Sequence, residues 1–334
     1  MTPEIIDALD NRKLNLILFS TEQCNFRCKY CYEDFAIGKM TTPVISGVKN
    51  LLSLRVPELK FLHIHWFGGE PLLAKELIYD INSYASHLAQ DSQGCTFASS
   101  ITTNGYKLDL ETWRKLVRFN VTSFQISLDG DSDEHDRTRV KANGSGTFNK
   151  IWSNIIDFRN SDVEAQVILR LHLTRSNTNS VQKLLTLINK EISVDQRFKI
   201  FFKPVERLGD APIDSSLEIS SRSEKLETIN ELASQLISPL MLHDESSHAV
   251  CYAATGNSFV IRPNGHVSKC TVALNDPRNN VGQLSEDGRL QIDNHLLRNW
   301  LIGMETGNTQ ALACPLSFLN SQIGSRNMIS LKLQ

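Results

Sequence analysis

Through residue 209 the sequence keeps switching its hydrophobic period. Strand-sized runs lie at LNLILFST (14–21), FLHIHWF (61–67), TFASSITT (96–103), SFQISL (123–128), VILRLHLT (167–174) and FKIFFKPV (198–205), with longer helical patterns between them. PVISGVKNLLSLR follows Thr41-Thr42, a threonine cap with proline at an early position, and DLETWRKLVRF opens on Asp109 as an acidic cap. Strict alternation of strand and helix makes βαβ units, and βαβ units make a parallel sheet. Six units fill residues 14–209, whereas a closed eight-fold barrel needs about 250 residues. The expectation is an α/β fold built on a partial (β/α)6 TIM-type barrel. Residues that do chemistry then belong at the carboxyl ends of the strands.

The strands carry polar residues at alternate positions, which is unusual where helices cover a parallel sheet. His63 and His65 share a face, as do Gln125, Ser127 and Asp129, and so do Arg170, His172 and Thr174. The opposite faces carry Leu62, Ile64 and Trp66, then Phe124, Ile126 and Leu128, then Leu169, Leu171 and Leu173. Period-two alternation puts each set on one side. A polar lumen that binds polar ligands explains this, and so does a set of polar groups that satisfy one another.

After Gly209 the pattern changes. A polar stretch and the helical LETINELASQLI form a linker over 210–250, and a separate module follows over 251–334. There NSFVIRPNGHVSKC places a Pro-Asn-Gly turn between two alternating runs, a hairpin signal. With 41% hydrophobic residues among 334, the chain can bury a sizeable core. No apolar run is long enough for a membrane span, and MTPEIIDALDNRK lacks the basic and apolar regions of a signal peptide. A cytoplasmic protein is expected. A net charge of -2 argues against a nucleic-acid partner.

In a reducing compartment, clustered cysteines point to metal binding or redox work rather than disulfides. Cys24, Cys28 and Cys31 cluster after the first strand, Cys95 stands alone as a small buried apolar residue, and Cys251, Cys270 and Cys314 lie in the last quarter. Structural zinc takes four protein ligands, and the nearest downstream histidine is His63. Three thiolates can instead hold a cubane iron–sulfur cluster with one iron left open. A zinc-binding structural protein remains the non-enzyme alternative.

The spacing Cys24-x3-Cys28-x2-Cys31 resembles the signature of the radical S-adenosylmethionine (SAM) superfamily, and three further motifs agree in order and placement. They are GGEP at Gly68, Gly69, Glu70 and Pro71; TNG with Thr103 and Asn104; and SLDG with Ser127 and Asp129, followed after HD by Arg139. The resemblance implies a 4Fe-4S cluster whose open iron binds SAM, and cleavage of SAM to a 5'-deoxyadenosyl radical. It places Tyr30 near the adenine, Glu70 at the SAM ammonium, and the strand-four serine with nearby polar groups at ribose and carboxylate. Arg170 would meet a carboxylate of SAM or of substrate. Lys203, Glu206 and Arg207 are further candidate substrate contacts.

The segment from Cys251 to the VGQL run resembles the SPASM or twitch extension of peptide-modifying members, including sulfatase maturases and makers of ribosomal peptide products. Those modules hold auxiliary four-iron clusters. Here ALACPLSFLNSQIG keeps only Cys314, with Ser317 and Gln322 where further cysteines would stand. That leaves one auxiliary cluster on Cys251, Cys270 and Cys314, or none. The function implied is hydrogen abstraction from a residue of a ribosomally made precursor peptide, ending in a cyclophane-type cross-link to an aromatic side chain. A sulfatase-type maturase or a twitch-type small-molecule dehydrogenase is the alternative. The partners implied are the precursor peptide and an electron donor such as flavodoxin or ferredoxin. With the first strand starting near residue 14, leader binding is expected to use the barrel, the C-terminal module or a separate protein.

Overall fold

The structure, a computed structural model, describes residues 3–92, 94–206, 217–219, 221–238 and 250–330. Six parallel strands form its centre: β1 (Lys13–Thr21), β3 (Phe61–Gly68), β4 (Thr96–Thr103), β5 (Val121–Leu128), β7 (Gln166–Leu173) and β8 (Phe198–Pro204). They lie side by side in that order. Every neighbouring pair is parallel. The connections run through α2 (Thr42–Arg55), α3 (Lys75–Asp91), α4 (Leu110–Arg118), α5 (Ser132–Thr138) with α6 (Phe148–Arg159), and α7 (Thr178–Glu191). This is the expected partial barrel.

The alternation in the sequence sorts the two faces of the sheet. Leu62, Ile64 and Trp66, with their counterparts on β5 and β7, are each exposed by 1% or less and pack in one core with Val48, Leu52, Ile78 and Ile155 of the helices. Asp109 caps α4 by accepting from Thr112 N at 2.9 Å. Thr41 stands at the N-cap of α2 without a side-chain bond, so there the early proline alone marks the start.

Strict alternation is broken once. The cysteine loop contributes β2 (Phe26–Cys28), which pairs antiparallel with β6 (Arg139–Lys141) just after α5. Three-residue strands are too short to show a period. Cys95 is half-buried, with its thiol toward Thr96 O, because it stands just before β4 rather than inside the sheet.

In the C-terminal segment the predicted hairpin is present. β9 (Ser258–Ile261) pairs antiparallel with β10 (His266–Ser268) around Gly265, whose φ of +83° suits the turn. β11 (Asn280–Leu284) and β12 (Leu290–Ile292) continue outward. β9 also pairs parallel with β1, Asn15 to Ser258 and Leu18 to Ile261, so these four strands and the six central ones form one ten-stranded sheet, apart from the β2–β6 pair. Helices α9 (Asn294–Thr306), α10 (Thr309–Ala313) and α11 (Pro315–Ser330) close this end. Of the 210–250 linker, α8 (Arg222–Ala233) is the helix described. Among the described residues no helix is long and apolar enough to cross a membrane.

Candidate functional site

Strand β1 delivers the cysteine loop to the carboxyl end of the sheet. The loop is held there by the buried Phe26 ring, by β2–β6 pairing that sets Cys28 opposite Arg139, and by backbone bonds Lys29 N to Thr138 O (3.0 Å) and Ala142 N to Asn25 O (2.9 Å). Cys24, Cys28 and Cys31 are all half-buried. Burial, with the charge of Glu70 added, pushes the Cys24 thiol up to about 12, and burial does the same to Cys31. Each of these two thiols also feels the negative charge of its neighbours in the loop. Three buried thiolates therefore need a cation to exist as ligands. Three thiolates are one short of the four protein ligands of structural zinc, and a cubane takes each thiolate on a different iron, so the donor set fits a cluster with one open iron.

Gly68 and Gly69 end β3 against this loop. A Cβ on Gly68, at φ +119°, would stand 2.2 Å from Thr21 O; one on Gly69 would stand 2.5 Å from Glu22 O. The glycines let β3 pass against the chain's own backbone, and Glu70 N then donates to Gln23 O at 3.0 Å. Pro71 opens a single helical turn, and its carbonyl accepts from Ser20 Oγ at 3.2 Å. Glu70 is fully buried and accepts from Leu72 N (3.0 Å), Thr103 Oγ1 (2.7 Å) and Asn104 N (2.7 Å). Burial nevertheless raises its carboxyl above the ordinary range. Asn104 reaches back to the cysteine loop, donating to Asn25 Oδ1 at 2.9 Å and lying 3.9 Å from Cys24 Sγ. Thus the ends of β1, β3 and β4 are tied into one unit.

Asp129 follows β5 and organises the other half. Tyr30 OH donates to its carboxylate at 2.7 Å, Thr138 Oγ1 donates at 2.6 Å, and His172 Nδ1 lies 3.1 Å away. Arg139 Nη1 donates to Tyr30 OH at 2.8 Å. Burial lowers His172 to about 4 even beside the carboxylate, so a neutral imidazole faces Asp129. Hydrogen bonding from His172 and the charge of Arg139 hold Asp129 well below the usual carboxylate range against its own burial. Ser127 lies buried two residues earlier on the same face. Arg139 Nε is buried with no hydrogen-bond partner among the described residues. An orphaned guanidinium donor beside Cys28 and Tyr30 suits an anionic ligand group. Thr138, and Asn177, which donates to Asp129 O and to His172 O at 2.9 Å each, gave no sequence signal because their roles depend on contacts made only in the fold.

The polar lumen exists and is internally bonded. Asn15, His63, Ser100, His65 and Thr102 form one chain of contacts between 2.7 and 3.1 Å, and Gln125 joins Thr102 at 3.5 Å. Burial lowers both histidines, His65 to about 3, so both rings are neutral. This wall borders a cavity of about 350 Å³ whose other side carries Arg170, Phe201 and Lys203. Tyr252 and Thr271 of the C-terminal segment complete the lining. Arg170 lies over the Phe201 ring, and its charge acts on His172, which connects the cavity to the Asp129 cluster. Of the further candidates, Lys203 lines the cavity, Glu206 sits beside it, and Arg207 lies outside the described residues.

Tyr252 and Thr271 are bonded to each other at 2.8 Å, and each follows a cysteine. Cys251 is half-buried, Cys270 buried and Cys314 exposed, and the three are close enough for their charges to interact. Asn279 braces the Cys270 loop, accepting from Cys270 N at 2.9 Å and donating to Cys270 O at 2.8 Å. Arg262, from the β9–β10 turn, grips Glu22 with two bonds of 2.7 and 2.9 Å and donates a third to Leu274 O. Neither Asn279 nor this pair was visible in the sequence, since their partners are distant or lie in irregular loops.

The Radical SAM superfamily model matches residues 18–188, just over half of the chain. A cysteine-type anaerobic sulfatase-maturating enzyme of Clostridium novyi is 27% identical over 209 residues, 58% of this chain and 52% of that protein. A GTP 3',8-cyclase of Haemophilus influenzae is 31% identical over 129 residues, 37% of this chain and 36% of the cyclase. The chain therefore spans about half of the first relative and about a third of the second. Among solved structures, anSMEcpe with bound AdoMet and the Cp18Cys peptide superimposes with a TM-score of 0.59 at 19% identity, covering 81% of this chain and 77% of that one. Streptococcus suis SuiB bound to precursor peptide SuiA gives 0.62 at 12% identity, covering 86% and 66%. At such identities the likeness is one of fold.

Proposed function

The chain belongs to the radical SAM superfamily, and from that premise we propose that it is a peptide-modifying maturase. Membership implies a 4Fe-4S cluster and SAM. Cys24, Cys28 and Cys31 would hold the cluster. The chemistry supplied there is one-electron cleavage of SAM to a 5'-deoxyadenosyl radical that abstracts hydrogen from substrate. The observation that carries the reading is the meeting, at one end of the parallel sheet, of the cysteine loop, Glu70, Asn104 and the Asp129 cluster, beside a cavity walled by the C-terminal segment.

The chain's own residues have separable tasks. Gly68 and Gly69 seat β3 against the cysteine loop. Glu70 orients Thr103 and Asn104 and keeps lone-pair capacity on Oε2 for an ammonium. Arg139 presents its orphaned Nε to a carboxylate. Tyr30, held by Asp129 and Arg139, packs beside His172 with ring centroids 5.1 Å apart and offers a ring edge to the adenine. Ser127 and Asp129 border the ribose. The cavity admits the residue to be modified, beside a histidine wall whose polar atoms are bonded to Asn15, Ser100 and Thr102.

The finer reading is a cyclophane-type cross-link in a ribosomal precursor peptide, with a flavodoxin or ferredoxin as electron donor. Cys251, Cys270 and Cys314 would hold one auxiliary cluster beside the cavity. The domain division is 1–209 for the barrel, 210–250 for the linker and 251–334 for the auxiliary module. Iron, sulfide and zinc content after anaerobic reconstitution tests this, comparing wild type with the triple alanine variant of Cys24, Cys28 and Cys31. Roughly eight irons falling to roughly four supports both clusters; roughly four falling to none supports the radical site alone. Zinc without iron, or no 5'-deoxyadenosine from SAM and reductant, overturns the reading.

A further inference from the structure

We propose that Lys269 is a fixed positive charge beside the auxiliary cluster, and that it raises the potential at which that cluster takes up an electron. Lys269 acts so only where Cys251, Cys270 and Cys314 hold the cluster, so this deepens the maturase reading above and rests on it.

Lys269 is wholly buried, a rare place for a lysine. Its ammonium donates to Thr255 O at 2.7 Å and to Ser258 O at 2.6 Å, and lies 4.9 Å from the centre of the Phe259 ring. These partners are dipoles and a ring face, none of them an opposite charge. Arg262, also buried in this segment, has the carboxylate of Glu22. Among the described residues no carboxylate acts on Lys269, and the charge that reaches it is that of Cys251. An ammonium out of water without an opposite charge is costly. Its burial here suits an anionic group held by the neighbouring cysteines.

Lys269 also ties the cysteine set together. It precedes Cys270, and Asn279 Oδ1 accepts from the backbone N–H of both residues, at 3.0 and 2.9 Å. Thr255, whose carbonyl holds the ammonium, ends the single helical turn that Cys251 opens. Cys251 N in turn donates to Leu312 O at 2.8 Å, two residues before Cys314. A cubane on three thiolates is anionic even when oxidised, and reduction adds one more negative charge. A positive charge fixed in a low-dielectric interior therefore stabilises the reduced state more than the oxidised one. Burial and nearby polar groups are levers the protein has on cluster potential.

The test uses the full-length chain with alanine at Cys24, Cys28 and Cys31, reconstituted anaerobically so that iron reports the auxiliary cluster alone. Dithionite titration against mediator dyes, followed by electron paramagnetic resonance of the reduced cluster, gives its potential. Lys269→Met fills a similar volume without charge, and Lys269→Gln keeps a donor for the two carbonyls without charge. Each should retain the iron of its parent, and reduction should become about tenfold less favourable, a fall of about 59 mV for one electron. Either variant that loads decides the matter. An unchanged potential overturns the proposal, and so does loss of iron from both variants, which would make Lys269 a structural prop. No iron in the parent overturns it together with the auxiliary cluster. Formation of 5'-deoxyadenosine by wild type is followed in parallel, and its absence sinks the maturase reading whatever the potentials are.

Discussion

At Gly69 a methyl group would meet two carbonyl oxygens, Glu22 O at 2.5 Å and Gln23 O at 2.6 Å. Both belong to backbone and neither can swing away. Gly69→Ala should therefore cost about 1–3 kcal/mol, the scale of an overpacked interior, and shift the cysteine loop. Urea denaturation and iron content would both register it. The close approach that a glycine allows is made here by the chain's own backbone. Glu22 and Arg262 carry a larger expectation. Glu22 is 1% and Arg262 8% exposed, so Glu22→Gln leaves a guanidinium unpaired in the interior and should cost about 3–5 kcal/mol, whereas replacing both by methionine should cost much less. A double-mutant cycle in urea checks that difference. That Cys24, Cys28, Cys31, Glu70 and Asp129 stand at the carboxyl ends of strands was legible, because residue type and short spacing are local. Glu22 was not, since what distinguishes it is a partner 240 positions away.

On β3, β5 and β7 the alternation of polar and apolar residues was legible, and it assigned His63 and His65 to one face. It could not say whether they meet a ligand or one another. Ser100 and Thr102, one strand over, decide this by bonding to both rings. The consequence is a pH dependence with a definite sign. An exposed histidine in the unfolded chain titrates near 6.5, while His65 in the fold is held at about 3. Its contribution is complete above pH 6.5 and is lost progressively as the pH falls toward 3. His65→Gln should flatten the stability curve across that window, by up to about 1.4 kcal/mol per pH unit. Anaerobic urea titrations at several pH values would show it, and an unchanged slope would mean the ring charges freely in the fold.

Across the whole molecule, the pairing of β9 with β1 makes the C-terminal segment part of the sheet that carries the cysteine loop. A chain ending at residue 250 would leave LNLILF of β1 as an unpaired apolar edge and should aggregate on size-exclusion chromatography. On the proposed auxiliary cluster, alanine at Cys251, Cys270 and Cys314 should instead leave a soluble protein that has lost only that cluster's iron, and unchanged iron content would overturn that assignment. The sequence by itself determined the parallel α/β architecture, the positions of its six central strands and the motif residues at their ends. Hydrophobic period and short spacing are local properties, and a single chain displays them without folding. Only the tertiary structure decided that the C-terminal strands join β1, that Arg262 holds Glu22, and that Arg170 and Lys203 share a cavity with neutral histidines. Each of these depends on which distant segments become neighbours, and burial then sets the charge and hydrogen-bond state of the groups that meet.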